Sequence, residues 1–181
     1  MNLSKLFEAQ KELGKVGLFN YQGEDRFNKL VLALLVELGE CANEWRGFKF
    51  WSTDQEPRTN VVEHIYSNES GYNTVRKNKL LEEYVDGLHF VLEIGLELNY
   101  TNFDLWTVKK DTTNQFIDCF HWINNLHFQK YVTGKVPIGI YEFVWSNYIG
   151  LGEMLGFTWE QIEAAYFEKH AINLKRQENG Y

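Results

Sequence analysis

Proline is nearly missing from the chain. Pro57 and Pro137 are the only two in 181 residues, and the long stretches around them run without a breaker. That pattern favours long helices over a sandwich of short, turn-punctuated strands. Cysteine is equally scarce. Cys41 and Cys119 make no zinc-type spacing and no disulfide framework, so both are expected as reduced core residues. Basic charge is in deficit, 18 Lys and Arg against 25 Asp and Glu, for a net charge of −7. This argues against a binder of nucleic acid polymers, which needs a broad basic surface. No run of eighteen apolar residues occurs, so no membrane span is expected. The start, Met1-Asn2-Leu3-Ser4-Lys5, leads into an amphipathic stretch rather than a signal-type apolar run. A soluble, cytoplasmic protein is expected.

What remains is rich in core-forming residues. Hydrophobic side chains make up 44% and aromatics 16%, enough for one sizeable core in a single domain, 1–181. Leu3, Leu6, Phe7, Gln10 and Leu13 recur at helical spacing over 2–16. A second helix is expected from Asp25 to about Arg46, a third from about Asn78 to Leu98, and a fourth around Thr113–Tyr131. Pro137 lies near the start of a fifth that ends near Gly156. Thr158-x-x-Gln161 is a capping-box pattern opening a last helix over 159–178. The stretch between the second and third helices is polar, with short apolar pieces at Val61-Val62 and Ile65-Tyr66. It reads as a long insert, 52–79, holding a hairpin or a short helix and serving as a lid or connection. The expected fold is an all-α bundle with that one insert.

Charge is concentrated in two places. Glu37, Glu40 and Glu44 fall three and four apart on the second helix, among Leu34-Leu35-Val36. Glu83 and Asp86 fall three apart on the third, within Leu80-Leu81-Glu82-Glu83-Tyr84-Val85-Asp86. An isolated pair of this kind ordinarily marks a solvated helix face. Two pairs on facing helices can instead surround a hard cation, and burying four such carboxylates without one is costly. Spacing alone leaves both readings open.

Longer blocks narrow the choice. The two acidic pairs resemble the signature of the all-α nucleoside triphosphate pyrophosphatases, the MazG-like superfamily that includes the dimeric dUTPases. Phe48-Lys49-Phe50-Trp51-Ser52 resembles the dimeric dUTPases' aromatic–Lys–x–Trp element. Glu82-Glu83-Tyr84-Val85-Asp86-Gly87-Leu88-His89-Phe90 is similar to their second acidic block. The tail from Tyr166 through Lys169, Asn173, Arg176-Gln177 and Gly180-Tyr181 is similar to theirs, with His170 standing where an Asn is usual. Gln10 sits where the family has a base-reading glutamine, and Gly14 where it has Asn or Asp. The matches extend from residue 10 to residue 181. The interval from Glu40 to Glu83 is longer than in the family's better-known members.

The resemblance implies an enzyme that hydrolyses dUTP, and dUDP as well, with Mg²⁺, in a homodimer. It implies Glu37, Glu40, Glu83 and Asp86 as metal ligands, with Glu37 orienting the attacking water. Lys49, Lys169, Asn173, Arg176 and Tyr181 are implied for the phosphates. Gln10, Trp51, His89 and Phe90 are implied for the base and sugar. Two other readings are a related pyrophosphohydrolase for another triphosphate such as dCTP, and a non-catalytic helical interaction protein.

Overall fold

The computed structural model describes residues 3–16, 25–67 and 71–179. Among them the order is α1 (Leu3–Val16), α2 (Arg26–Trp45), β1 (Val61–Ser67), β2 (Gly71–Lys77), α3 (Lys79–Leu98), α4 (Thr112–Thr133), α5 (Ile138–Met154) and α6 (Trp159–Glu178). The class is all-α, as expected, and the insert contains an antiparallel hairpin rather than a short helix. Four helices open on a capping side chain. Asp25, Asn78, Asp111 and Thr158 each accept a hydrogen bond from the backbone N–H three residues on. Caps of this kind are worth about 1 kcal/mol each. Thr158 and Gln161 complete the reciprocal capping box that the sequence announces.

Helix α3 is the hub. It packs against α1, α2, α5 and α6, while α4 packs on α5 and α2. Helix α5 is buried without interruption from Val144 to Gly152, so it has no solvated stripe along that stretch. Its polar members turn inward on the helix itself: Ser146 Oγ donates to the Glu142 carbonyl and Asn147 Nδ2 to the Phe143 carbonyl, both at 2.8 Å.

Two tyrosines clasp α3 to α5. Tyr84 Oη donates to the Tyr148 carbonyl at 3.0 Å, and Tyr148 Oη donates to the Tyr84 carbonyl at 2.7 Å. The rings stack with centroids 4.8 Å apart. A hydroxyl can reach a helix carbonyl this closely only where the next turn carries no side chain. Glycine supplies that room on both sides. A Cβ on Gly87 would lie 2.2 Å from Tyr148 Oη, and one on Gly152 would lie 2.5 Å from Tyr84 Oη.

The hairpin pairs Val61 with Lys77 through to Ser67 with Gly71. A two-stranded ribbon is marginal alone. Glu63 of β1 ties this one down, meeting Lys77 at 2.7 Å and Lys79, at the start of α3, at 3.0 Å. Arg58 closes the base of the insert. Its N–H donates to the Glu44 carbonyl, its own carbonyl accepts from Leu80 N–H, and its guanidinium reaches the Glu44 carboxylate at 3.1 Å.

The clasp makes a quantitative expectation. Gly87→Ala gains helix propensity of about 1 kcal/mol but forces a clash costing about 1–3 kcal/mol. Net destabilisation is expected in urea titration. Tyr148→Phe removes the clashing oxygen, so the double variant should recover part of the loss. Simple additivity of the two losses would contradict the clasp.

Candidate active site

Helices α2 and α3 lie antiparallel. Their far ends meet through Arg58, and a Cβ on Gly87 would lie 3.6 Å from Glu37 Cβ. This pairing turns Glu37 toward Glu83 and Asp86. One carboxylate oxygen from each lies within 4.8 Å of the others, and all three residues are half-buried. The electrostatic consequence is strain. Burial, then Asp86 and Glu40, push Glu37 up to about 7. Burial, then Asp86, Glu40 and Glu37, push Glu83 up to about 7 as well. Burial also raises Asp86, opposed by Lys169, whose Nζ sits 2.6 Å from Asp86 Oδ2. One ammonium on Asp86 leaves the other two carboxyls well above their ordinary range. Three convergent oxygens with excess negative charge are the donor set a hard divalent cation takes, so the residues fit one.

Glu40 stands apart from that trio. It is exposed at the rim of α2, and its carboxylate is outside the 4.8 Å group. Its charge still helps raise both Glu37 and Glu83. Glu44, further along the same stripe, is taken up by Arg58.

One turn beyond Asp86, the structure builds a buried polar knot. Gln10 of α1 is engaged at both ends of its amide: Oε1 accepts from Tyr166 Oη at 2.9 Å and meets His89 Nδ1 at 2.8 Å, and Nε2 donates to Glu93 at 2.9 Å. Glu93 is held in turn by Arg26 at 2.6 Å. Because Gln10 Oε1 can only accept, His89 carries its proton on Nδ1. His89 Nε2 is then a buried acceptor with no partner among the described residues. Burial, with His170 and Lys169 nearby, pushes His89 down to about 3, so the ring is neutral. Tyr166 stacks on it with centroids 4.3 Å apart. Phe90, the next residue, is half-buried against the core.

The other sequence-predicted residues are more scattered. Helix α6 carries Lys169 at Asp86, half-buried Asn173 further along, and exposed Arg176, whose charge lowers Asp86. Tyr181 lies outside the described residues. After α2, Arg46 adopts a left-handed conformation at φ 66° and anchors the following loop through Asp54 at 3.0 Å. That loop presents Lys49, which donates to Asn43 Oδ1, and Trp51, which is 65% exposed with its ring against Phe48 and Phe50. Lys49 and Trp51 stand at the α2 end of the insert.

The family model for dUTPase matches residues 2–69 and 70–181. The chain belongs to the dUTPase family. Membership makes it a hydrolase, a dUTP diphosphatase of nucleotide metabolism, and the family generally uses a divalent metal. A comparison with curated proteins gives no match.

Sequence reasoning quoted Tyr166 and Glu82 only as parts of longer blocks and gave no role to them, to Glu93 or to Arg26. Glu93 was within reach, since Glu82, Asp86, His89 and Glu93 follow one another at four, three and four along one face of α3. Arg26 and Tyr166 come from other helices, and no spacing connects them to Gln10.

The raised carboxyls set a pH dependence. Folded Glu37 and Glu83 hold protons to about pH 7, whereas an ordinary Glu releases them near 4.5. Between those values the folded state binds more protons than the unfolded one, so stability falls as pH rises. In chelator, Tm is expected to drop from pH 4.5 to 7.5. Glu37→Gln should flatten the profile, and so should a saturating divalent cation. A chelated protein whose Tm ignores pH across that window would contradict the crowding.

Proposed function

We propose that Glu37, Glu83 and Asp86, joined by Glu40 at the rim, hold Mg²⁺ and that the protein converts dUTP to dUMP and pyrophosphate, and dUDP to dUMP and phosphate. The observation that carries this reading is the convergence of three half-buried carboxylates, two of them raised to about 7. A bound Mg²⁺ supplies neutralisation of phosphate charge and acidification of water. The protein's own groups do the rest. Glu37 orients the attacking water, its carboxylate held ionised by the bound cation and able to accept a hydrogen bond from that water. Lys169 is already at the acidic trio, and with Asn173, Arg176, Tyr181 and Lys49 it grips phosphate oxygens. Arg offers a planar fork there, Lys a point charge.

Uracil presents a ring N–H where cytosine presents a lone pair. Neutral His89, with an acceptor nitrogen lacking a partner among the described residues, matches the former. Gln10 acts mainly by fixing the His89 tautomer, since its own amide is engaged. Trp51 covers the base, and Phe90 fills the space of a ribose 2′-hydroxyl. We read residues 1–181 as one catalytic domain with 52–79 as its insert.

A homodimer is supported by apolar side chains left exposed on α2 and α4, which pack side by side: Leu32, Val36, Ile117, Phe128, Tyr131 and Val132. A cytoplasmic setting is supported by two buried free thiols. No helix among the described residues is long and apolar enough to cross a membrane.

The test is turnover of dUTP, dCTP, dTTP and UTP with and without Mg²⁺, with products identified. dUTP is expected to be preferred, and turnover to vanish in chelator. Asp86→Asn should lower kcat by more than about 100-fold, beyond the usual cost of disturbing a ligand's supporting partners, with the fold intact by circular dichroism. Near-normal turnover would remove Asp86 from the site. His89→Phe should raise KM for dUTP about tenfold, the loss expected when a buried N–H goes unpaired, and should narrow the preference for dUTP over dCTP. An unchanged preference would take His89 out of base recognition.

A further inference from the structure

Glu82 precedes Asp86 by one turn of α3, and its two oxygens have different neighbours. Oε2 accepts from Lys79 Nζ at 3.3 Å, while Oε1 faces Lys169 Nζ at 3.8 Å. Lys79 is itself held by Glu63 of the hairpin at 3.0 Å, and Glu63 also holds Lys77 at 2.7 Å. Charge therefore alternates from the hairpin inward: Lys77, Glu63, Lys79, Glu82, Lys169, Asp86. Lys169 stands between two carboxylates one turn apart, tight on Asp86 at 2.6 Å and loose on Glu82. There is room beside it. A cavity of about 380 Å³ is bordered by Lys169, Glu82, Val85, Lys77 and Ile172.

An ammonium hydrogen-bonded to a carboxylate oxygen competes with any other cation for that oxygen. A divalent ion entering the trio would also repel it, and repulsion between close charges in a half-buried site is poorly screened. The ammonium then needs a nearby anion whose geometry is already set. Glu82 meets that need, because Lys79 fixes one of its oxygens and leaves the other toward Lys169.

We propose that Glu82 is a positioning residue that gives Lys169 its second seat: Lys169 leaves Asp86 for Glu82 as a divalent cation enters the trio, and the hairpin's Glu63–Lys79 pair holds Glu82 in orientation to receive it. The proposal rests on the reading of Glu37, Glu83 and Asp86 as cation ligands. It assigns the insert a task, which is to brace the acceptor of a moving lysine, and it keeps Lys169 beside the site at the moment phosphates arrive.

The test is Mn²⁺ binding to nucleotide-free protein, followed by the paramagnetic resonance signal of free Mn²⁺. Four proteins are compared: unchanged, Glu82→Gln, Lys169→Met and the double variant, each checked by thermal unfolding. Glu82→Gln is expected to weaken Mn²⁺ binding about threefold, the scale of a partly exposed ion pair. Lys169→Met should tighten it, because the competing ammonium is gone. In the Lys169→Met background, Glu82→Gln should cost little more. If more than half of the Glu82→Gln loss persists there, the residue acts only through its charge and the proposal is overturned. No loss in either background overturns it equally. Failure of the unchanged protein to bind Mn²⁺ would instead bring down the cation reading of the trio, and this inference with it.

Discussion

The structure turns on the crowding of three carboxylates where α2 crosses α3. Glu37, Glu83 and Asp86 are half-buried and close enough to repel one another, so the folded chain holds negative charge that Lys169 offsets only in part. A set of apolar side chains would pack there at less cost, so the crowding works against stability. The surrounding elements can be understood as supports for that crowding. Helix α3 is fixed to α5 by the tyrosine clasp, α2 is tied to the start of α3 through Arg58, and α6 delivers the compensating lysine.

Next along α3 the electrostatics reverse. His89 is held neutral in a buried knot whose members hydrogen-bond one another almost completely. The acidic trio and a neutral imidazole are thus separated by a single helical turn. A nucleotide has the same division, with polyphosphate at one end and an uncharged base at the other. Family membership gives the activity, and this gradient along one helix gives a physical reason why these residues suit it.

Much of this was legible in the sequence because helices convert spacing into placement. Most helices of the described residues follow from apolar periodicity and from caps such as Asp25, Asn78 and Thr158. The pairing of Glu83 with Asp86 follows from a separation of three. Spacing does not say which member of a pair faces the neighbouring helix, and so it gave Glu40 the same standing as Glu37. Rotation of α2 leaves Glu37 inward and Glu40 at the rim. Partners drawn from distant elements carry no periodic signal. The resemblance points to Gln10 for the base, and nothing in its spacing announces the bonds it makes to Tyr166, His89 and Glu93. The hairpin was one of two options for the insert; alternating ion pairs around Glu63, invisible in a list of charges, fasten it to α3.

The tyrosine clasp has an evolutionary corollary. Each hydroxyl occupies the volume that a methyl group on the opposite helix would need, so Tyr148 with Gly87 and Tyr84 with Gly152 form two interlocked couples. A lineage drifting at one member is penalised until its mate changes too. Descendants of this chain should therefore either inherit all four residues or exchange them in matched pairs, leaving a covariance trace across α3 and α5 even where catalysis exerts no selection.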